Sequence, residues 1–247
     1  IETGGGGGNE AALIEHTISG AYENSTASTV GYGAFYNCSA FTSIDLPAAT
    51  TIGSSAFYSC YSLANVSLPA ATSIGSYAFT YCSALTTVSL PQATTIWSYA
   101  FQSCTALTSI NLPAATSIGN FAFMNCSSAL TTVSLPQATS IGDYAFQYCY
   151  SLTTVSLPQA TSIGYGAFNG CYSLTSIYLP AATSIGTNAF YYCSALPSVS
   201  LPAATRIGTY AFYGCYSLAS VSLPAATSIG NYAFYNCSAL TSIDLPQ

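Results

Sequence analysis

Two stretches, LTTVSLP at Leu85–Pro91 and IGDYAFQYC at Ile141–Cys149, contain the pattern that decides the fold. In the first stretch, Val88 and Leu90 alternate with small hydroxyl residues, which is the two-residue period of a strand. The proline that follows cannot donate a hydrogen bond to a sheet, so it ends the strand. In the second stretch, Ile, Ala, Phe and Cys recur at i, i+4, i+5 and i+8, which predicts one face of a short helical segment.

Both stretches belong to a unit that repeats along the chain. Successive cysteines are 22 residues apart except for one interval of 23, and a proline follows the same spacing. When each unit is numbered from its leading Leu, Pro stands at position 7, a recurring Gly at position 13 and Cys at position 20. One unit cannot bury its apolar side alone, but stacked units can. The sequence therefore predicts a solenoid of about ten coils with parallel strands ~4.8 Å apart.

The unit L-x-x-I-x-L-P-x-x-x-x-I-G-x-x-A-F-x-x-C-x-x resembles the BspA-like (Treponema pallidum type) leucine-rich repeats of bacterial surface proteins. The resemblance covers about residues 29–247. It implies an extracellular or cell-surface adhesion or protein-binding role in host-associated bacteria, without enzymatic activity. The fold that we expect is a leucine-rich-repeat solenoid, a mostly β right-handed curved rod. Its parallel sheet would be concave, and its short helical segments would lie on the convex side.

The two ends of the chain differ from the middle. Residues 1–8 include five consecutive glycines, which are typical of a flexible tether. Residues 9–28 form a degenerate repeat, which we interpret as an N-terminal cap, and the array of repeats runs from 29 to 247. No polar cap is visible after the last strand, so the sequence predicts possible end-to-end self-association of the rods.

The charge of the chain excludes several classes of partner. Of its 247 residues, Lys and Arg together account for 1 and Asp and Glu for 7, which gives a net charge of −6. Nucleic-acid binding needs cations that replace the counterions of phosphates, so it is not expected. Membrane insertion is not expected either, because no run approaches ~18 apolar residues. The predicted partner is a protein or a carbohydrate.

Residues that could catalyse a reaction or bind a metal are scarce. Each coil has a single cysteine and no C-x-x-C pair, so the cysteines form a ladder rather than a zinc site. We interpret them as small apolar core residues, without disulfides. His16 is the only histidine and no paired carboxylates are visible, so we predict no metal, no cofactor and no enzymatic activity.

The tyrosines provide the most informative functional signal. Nineteen of the 21 lie at positions 14, 15, 18, 19 and 21 of the unit, on the outer side of the predicted helical segment. A surface that varies among Tyr, Ser, Asn and Gly has the composition of an antibody paratope. The alternative is that the tyrosines stack between coils and cover the core. The candidate ligand-binding residues are Tyr144, Tyr148, Tyr165, Tyr172, Tyr191, Tyr192, Tyr210 and Tyr213.

Three functions are compatible with these patterns. The first is an extracellular or cell-surface recognition module that binds a host protein or glycan through the tyrosine-rich side. The second is a structural component that assembles end to end into a filament or appendage. The third is a receptor-binding protein of a prophage tail, and the sequence does not separate it from the first.

Overall fold

The computed structural model describes residues 20–246, which form a solenoid of stacked coils with two short strands in each coil. The first strand occupies positions 3–5 of the unit in most coils. These strands are β1 (Gly20–Glu23), β3 (Phe41–Asp45), β5 (Asn65–Ser67), β7 (Thr87–Ser89), β9 (Ser109–Asn111), β11 (Thr132–Ser134), β13 (Thr154–Ser156), β15 (Ser176–Tyr178), β17 (Ser198–Ser200), β19 (Ser220–Ser222) and β21 (Ser242–Asp244). The second strand occupies positions 11–12. These strands are β2 (Thr29–Val30), β4 (Thr51–Ile52), β6 (Ser73–Ile74), β8 (Thr95–Ile96), β10 (Ser117–Ile118), β12 (Ser140–Ile141), β14 (Ser162–Ile163), β16 (Ser184–Ile185), β18 (Arg206–Ile207) and β20 (Ser228–Ile229).

All pairing is parallel between neighbouring coils, as the repeat predicts. The two-residue strands β2 to β20 join into one ten-stranded sheet. The strands at positions 3–5 instead form four shorter sheets, which are β1-β3-β5, β7-β9, β11-β13-β15 and β17-β19-β21. The 23-residue interval leaves the longer sheet in register, because Ser117 of β10 still pairs with Ser140 of β12. The extra residue is therefore accommodated in the connection before β11.

The prediction of short helical segments is wrong, because residues 20–246 contain no helix. Positions 13–20 form successive turns in which alternate N–H groups point in different directions. In one coil, the N–H groups of Tyr99 and Phe101 donate to the carbonyl oxygens of Asn120 and Ala122 in the next coil, at 2.9 and 2.8 Å. The intervening N–H groups close turns within the coil, as Ala100 does to the Trp97 carbonyl oxygen at 3.3 Å. A helix would use all these donors internally, so bonding to the next coil takes its place.

Two residues in each coil have a left-handed backbone. They occupy positions 15 and 19, where φ lies near +60°, as in Tyr99 (φ 63°) and Ser103 (φ 56°). This left-handed backbone conformation costs free energy in residues other than Gly and Asn. In the first nine coils, the N–H groups of both positions donate to carbonyl oxygens of the next coil, and these bonds hold the conformation.

The recurring glycine at position 13 allows neighbouring coils to approach closely. A Cβ at Gly164 would lie 2.6 Å from the carbonyl carbon of Gly142 and 2.7 Å from the backbone nitrogen of Asp143. Of the ten units, only the one at Trp97 lacks this glycine, and the Trp97 indole N–H donates to Ser73 Oγ at 3.2 Å. Close packing of backbones rather than positive φ therefore explains the glycine, since its φ is not positive at this position.

Inside the coils, the apolar positions of the unit form continuous columns. The phenylalanines at position 17 stack face to face from Phe35 to Phe234, with ring centroids 5.0–5.5 Å apart. The residues predicted to face inward from the second stretch (Ile141, Ala145, Phe146 and Cys149) are all buried. The prediction of the buried side was therefore correct although the predicted backbone was not.

The cysteines are buried side chains of the core, in agreement with the sequence prediction. All ten are buried and none forms a disulfide. From the second coil onward, each Sγ lies near the position-17 carbonyl oxygen of the preceding coil, as Cys149 does to Phe123 at 3.3 Å. Burial raises the pKa of Cys149 to about 12, so the thiol stays neutral and poorly nucleophilic.

Several predictions concern residues that the structure does not describe. The glycine-rich tether (1–8) and His16 lie outside the described residues. Of the proposed cap (9–28), residues 20–28 are described, and β1 within them pairs in parallel with β3 like a strand of the array. The division of the chain at residue 29 stays a prediction.

Candidate binding surface

The side chains at positions 14, 15, 18, 19 and 21 form one side of the rod, which we call the tyrosine face. Because the coils stack in register, residues at one position form a column along the rod. In column 15, the rings of Tyr77, Tyr99, Phe121 and Tyr144 stack with centroids 4.6–5.0 Å apart. In column 18, Tyr191, Tyr213 and Tyr235 stack at 4.9 and 5.3 Å. The ladder interpretation of the tyrosines is thus correct for these columns.

Tyrosine rings also lie across glycines of the next coil. A Cβ at Gly166 would lie 2.6 Å from Tyr144 Cε1, and one at Gly214 would lie 2.5 Å from Tyr192 Cδ1. The same holds for Gly170 and the ring of Tyr148, at 2.8 Å. Glycine at positions 15 and 19 therefore makes room for the tyrosine of the preceding coil.

Three of the eight predicted residues, Tyr191, Tyr210 and Tyr213, lie together near the C-terminal end of the rod. They line an open groove of about 430 Å³ with three further residues, and we call this the C-terminal groove. The groove is lined by Asn188, Tyr191, Tyr210, Tyr213, Tyr232 and Tyr235. Tyr192 packs edge-on against Tyr191 and Tyr213, with ring centroids at 4.6 and 5.6 Å.

The other four predicted residues form two groups farther toward the N-terminus. Tyr144 and Tyr165 pack with ring centroids 5.0 Å apart. Tyr172 stacks on Tyr150 at 5.3 Å, and Tyr148 lies 5.8 Å from Tyr150. The structure thus divides the predicted set into three groups, and the Tyr144–Tyr165 pair is connected to the C-terminal groove by the hydrogen bond from Asn188 Nδ2 to Tyr165 Oη.

Sequence reasoning did not include Asn188, Tyr232 and Tyr235 among the candidates. The sequence does contain a pattern that points to Tyr235, because Tyr191, Tyr213 and Tyr235 occupy position 18 in three consecutive units. Residues at one position are spatial neighbours in a solenoid, so a run of tyrosines down one column predicts a stacked wall.

Among the described residues, the tyrosine face carries one charged side chain, the exposed Asp143 at position 14, which lies next to Tyr144. The phenols of this face stay protonated. Burial raises the pKa of Tyr144 to about 12, with a smaller contribution from its hydrogen bond with Tyr165. Burial also raises the pKa of Tyr191 and Tyr213 in the C-terminal groove. These hydroxyls therefore act as neutral donors and acceptors at physiological pH.

The described part of the chain offers little for chemistry. Between residues 20 and 246, no group of three or more His, Cys, Asp or Glu side chains is placed to hold a metal ion. Over the same residues, no helix is long and apolar enough to cross a membrane.

The repeat and its stacking match a known family. A family model described as "BspA type Leucine rich repeat region (6 copies)" matches residues 17–129, 72–196 and 183–247. The chain belongs to this family. Membership indicates a surface or protein-interaction role, and the family's repeat proteins are generally not enzymes. No curated protein matches the sequence.

Several solved structures are similar to this BspA-type chain. A leucine-rich-repeat protein from Eubacterium ventriosum has a TM-score of 0.53 at 24% identity, over 79% of this chain and 64% of the other, which shows a common fold. A leucine-rich cell surface protein from Faecalibacterium prausnitzii is 25% identical, with a TM-score of 0.48, over 92% of this chain and 79% of the other. The T. pallidum leucine-rich-repeat protein is also 25% identical with a TM-score of 0.48, over 80% and 77%.

Proposed function

We propose that this chain is a non-enzymatic recognition module, located outside the cell or on a bacterial surface, that binds a host protein or glycan through the tyrosine face. The observation that carries the proposal is the C-terminal groove, where five tyrosines and one asparagine converge without a charged residue. Tyrosine supplies large amphipathic contact area with little loss of side-chain entropy on binding.

The stacked columns support the proposal because they fix the rings before a partner arrives. Tyr213 is held between Tyr191 and Tyr235, and Tyr210 meets its edge at 5.7 Å. Immobilising a free side chain on binding costs ~0.5–1.5 kcal/mol, and rings that are already packed avoid most of that cost. Stacking and recognition are therefore compatible roles for the same residues.

The test compares two sets of substitutions in one column. The variant Tyr191→Ala/Tyr213→Ala/Tyr235→Ala removes one wall of the C-terminal groove. The control Tyr36→Ala/Tyr58→Ala removes a stacked pair, 4.9 Å apart, from the same column near the other end of the rod. Both are screened against immobilised extracellular-matrix proteins, mucin and a glycan array.

We expect any partner that the unmodified protein retains to be lost by the groove variant and kept by the control. Equal retention by both variants, with folding verified by circular dichroism, would overturn the assignment of recognition to this groove. A partner lost equally by both would place recognition elsewhere on the rod or show a general effect of the substitutions.

A further inference from the structure

Within the aromatic part of column 15, from Tyr77 to Tyr232, one position is neither filled nor covered by a ring. Aromatic rings occupy it from Tyr77 to Tyr144 and again at Tyr210 and Tyr232, while the two units between have Gly166 and Asn188. The ring of Tyr144 lies across Gly166, so that position is covered. Over the described residues, no aromatic ring is stacked at the position of Asn188.

This gap leaves one face of Tyr210 without a stacked ring. Tyr232 stacks on Tyr210 with ring centroids 5.3 Å apart and 6° between the planes, so the other face is turned toward the coil of Asn188. Tyr99 and Phe121 in the same column instead have both faces covered by neighbouring rings at 4.6–5.0 Å. A ligand lying along these stacks would meet ring edges, whereas at Asn188 it can meet a ring face.

Asn188, which borders the gap, also carries a polar atom that the protein does not satisfy. Asn188 Nδ2 donates to Tyr165 Oη at 2.8 Å, and Asn188 Oδ1 is a buried acceptor without a hydrogen-bond partner among the described residues. Tyr165 can satisfy only one end of the amide, whichever way the amide is turned. A buried polar atom without a partner costs ~1–3 kcal/mol, so turning the Asn188 amide toward a ligand hydroxyl in the groove would recover that energy.

The chemistry of the gap selects a ligand with a flat apolar face and neutral polar groups. The C-terminal groove has phenol hydroxyls and one amide but no charged side chain to pair with an ionic group. A pyranose ring has C–H groups that pack on the negative face of an aromatic ring, and its hydroxyls can donate or accept. A proline or aromatic side chain could also stack on Tyr210 but would bring no donor for the amide.

We propose that the gap at Asn188 binds one neutral pyranose residue of a glycan, stacked on Tyr210 in the place of the missing ring. The inference rests on the proposed recognition function and names both its ligand class and its position. The remaining sugars would lie along Tyr213, Tyr232 and Tyr235 in the C-terminal groove, whose volume of about 430 Å³ suits a small ligand.

The decisive variant fills the gap without removing a tyrosine. Asn188→Tyr introduces tyrosine, which already occupies position 15 in five other coils. The coils of Tyr210 and Tyr232 also have a tyrosine at position 18, as this coil does at Tyr191. The new ring would complete the stack and exclude the sugar. Asn188→Gly keeps the gap open. The matched control is Tyr99→Ala, which removes a column-15 ring whose two faces are already covered by Tyr77 and Phe121.

The probes are cellotetraose, chitotetraose and maltotetraose, with sialyllactose as a charged comparator, measured by isothermal titration calorimetry. We expect at least one neutral tetrasaccharide to bind more tightly than sialyllactose. We expect Asn188→Tyr and Tyr210→Ala to raise its Kd by about tenfold or more, and Tyr99→Ala to leave it unchanged. Asn188→Gly, which keeps the gap open but removes the amide, should still bind, though more weakly than the unmodified protein.

Two results would overturn the inference. One is the absence of binding to all three neutral tetrasaccharides, and the other is binding that Asn188→Tyr leaves unchanged. If a protein partner is nevertheless lost in the column-18 groove variant, the proposed function stands and only the glycan inference fails. If neither sugars nor proteins depend on the groove, both proposals fail.

Discussion

Eight tyrosines of this chain have a left-handed backbone, a conformation that costs a residue with a Cβ ~1–2 kcal/mol. They are Tyr77, Tyr81, Tyr99, Tyr144, Tyr148, Tyr192, Tyr210 and Tyr232. In several of them the ring contacts explain why tyrosine is tolerated, because Tyr99 stacks on two neighbours and Tyr144 covers a glycine of the next coil. Packing of the side chain thus offsets the local cost of the backbone.

The buried and exposed sides of the turn region respond differently to truncation. Phe146 is fully buried and stacks between Phe123 and Phe168, at 5.2 and 5.4 Å. We expect Phe146→Ala to lower the free energy of unfolding by ~3–5 kcal/mol, because it leaves a cavity in the phenylalanine column. Tyr148→Ala, two residues away on the half-buried outer side, should cost far less. Urea denaturation of both variants checks this, and equal losses would show that the ring of Tyr148 contributes as much as the core.

Glycine at position 13, where coils pack closely, and glycine at position 15, where φ is positive, should respond differently to substitution by alanine. Gly164→Ala places a Cβ 2.6 Å from the backbone of the preceding coil, so the coils must separate. We expect this variant to lose about 3 kcal/mol of stability. At Gly33, where φ is 58° and the nearest side-chain atom would be 3.8 Å away, Ala meets only the strain of the left-handed backbone. Gly33→Ala should lose about 1 kcal/mol of stability. Thermal unfolding of both variants checks this, and a larger loss at Gly33 than at Gly164 would contradict the interpretation.

At the scale of the strand, one proline coincides with one of the three interruptions in the sheets at positions 3–5. Position 2 normally donates its N–H to the position-2 carbonyl oxygen of the preceding coil, as Thr175 does to Thr153 at 2.9 Å. Pro197 occupies this position and has no N–H, and the sheet is interrupted there between β15 and β17. The proline off the repeat spacing therefore marks a break in the hydrogen-bond ladder.

Replacing this proline tests its effect on the ladder. Pro197→Thr restores the donor toward the Thr175 carbonyl oxygen and adds a hydroxyl of the kind that bonds between coils at Thr175. We expect the free energy of unfolding to rise by about 1 kcal/mol, the net value of one hydrogen bond. Hydrogen exchange should also show new protection at residue 197. A fall in stability would mean that the rigidity of proline contributes more than the missing bond.

For the whole molecule, the ladder of neutral thiols and phenols predicts how stability depends on pH. Burial raises the pKa of Cys149 to about 12 and that of Cys237 to about 11, above the ~8.5 of an exposed thiol. The folded chain therefore holds protons that the unfolded chain releases, so its stability is full below about pH 8.5 and falls as the pH rises.

An alkaline titration measures this effect. With a reductant present, we expect the midpoint of urea denaturation to change little between pH 6 and 8 and to fall steeply from about pH 9 to 12. Tyr144, whose pKa is raised to about 12, contributes to the loss between about pH 10 and 12. A midpoint that is unchanged up to pH 11 would contradict the burial of the thiols in solution.

The sequence alone determined the solenoid, the number of coils and the side chains of the core. It could do so because a 22-residue period repeats the same apolar pattern, and stacking is the only way to bury that pattern. Phe146 and Cys149 were predicted to be buried before the backbone around them was known, since polarity assigns a side chain to the core whatever the local conformation.

Only the tertiary structure decided the conformation of positions 13–20 and the division of the tyrosine face. The spacing of Ile141, Ala145 and Phe146 fits a helical turn, but hydrogen bonds from Tyr144 and Phe146 to the next coil outweigh it. The C-terminal groove is likewise a property of columns, because Asn188 and Tyr210 become neighbours only when coils stack. Local pattern determines which side chains face inward, whereas contacts between coils determine how the backbone turns and where the rings leave a gap.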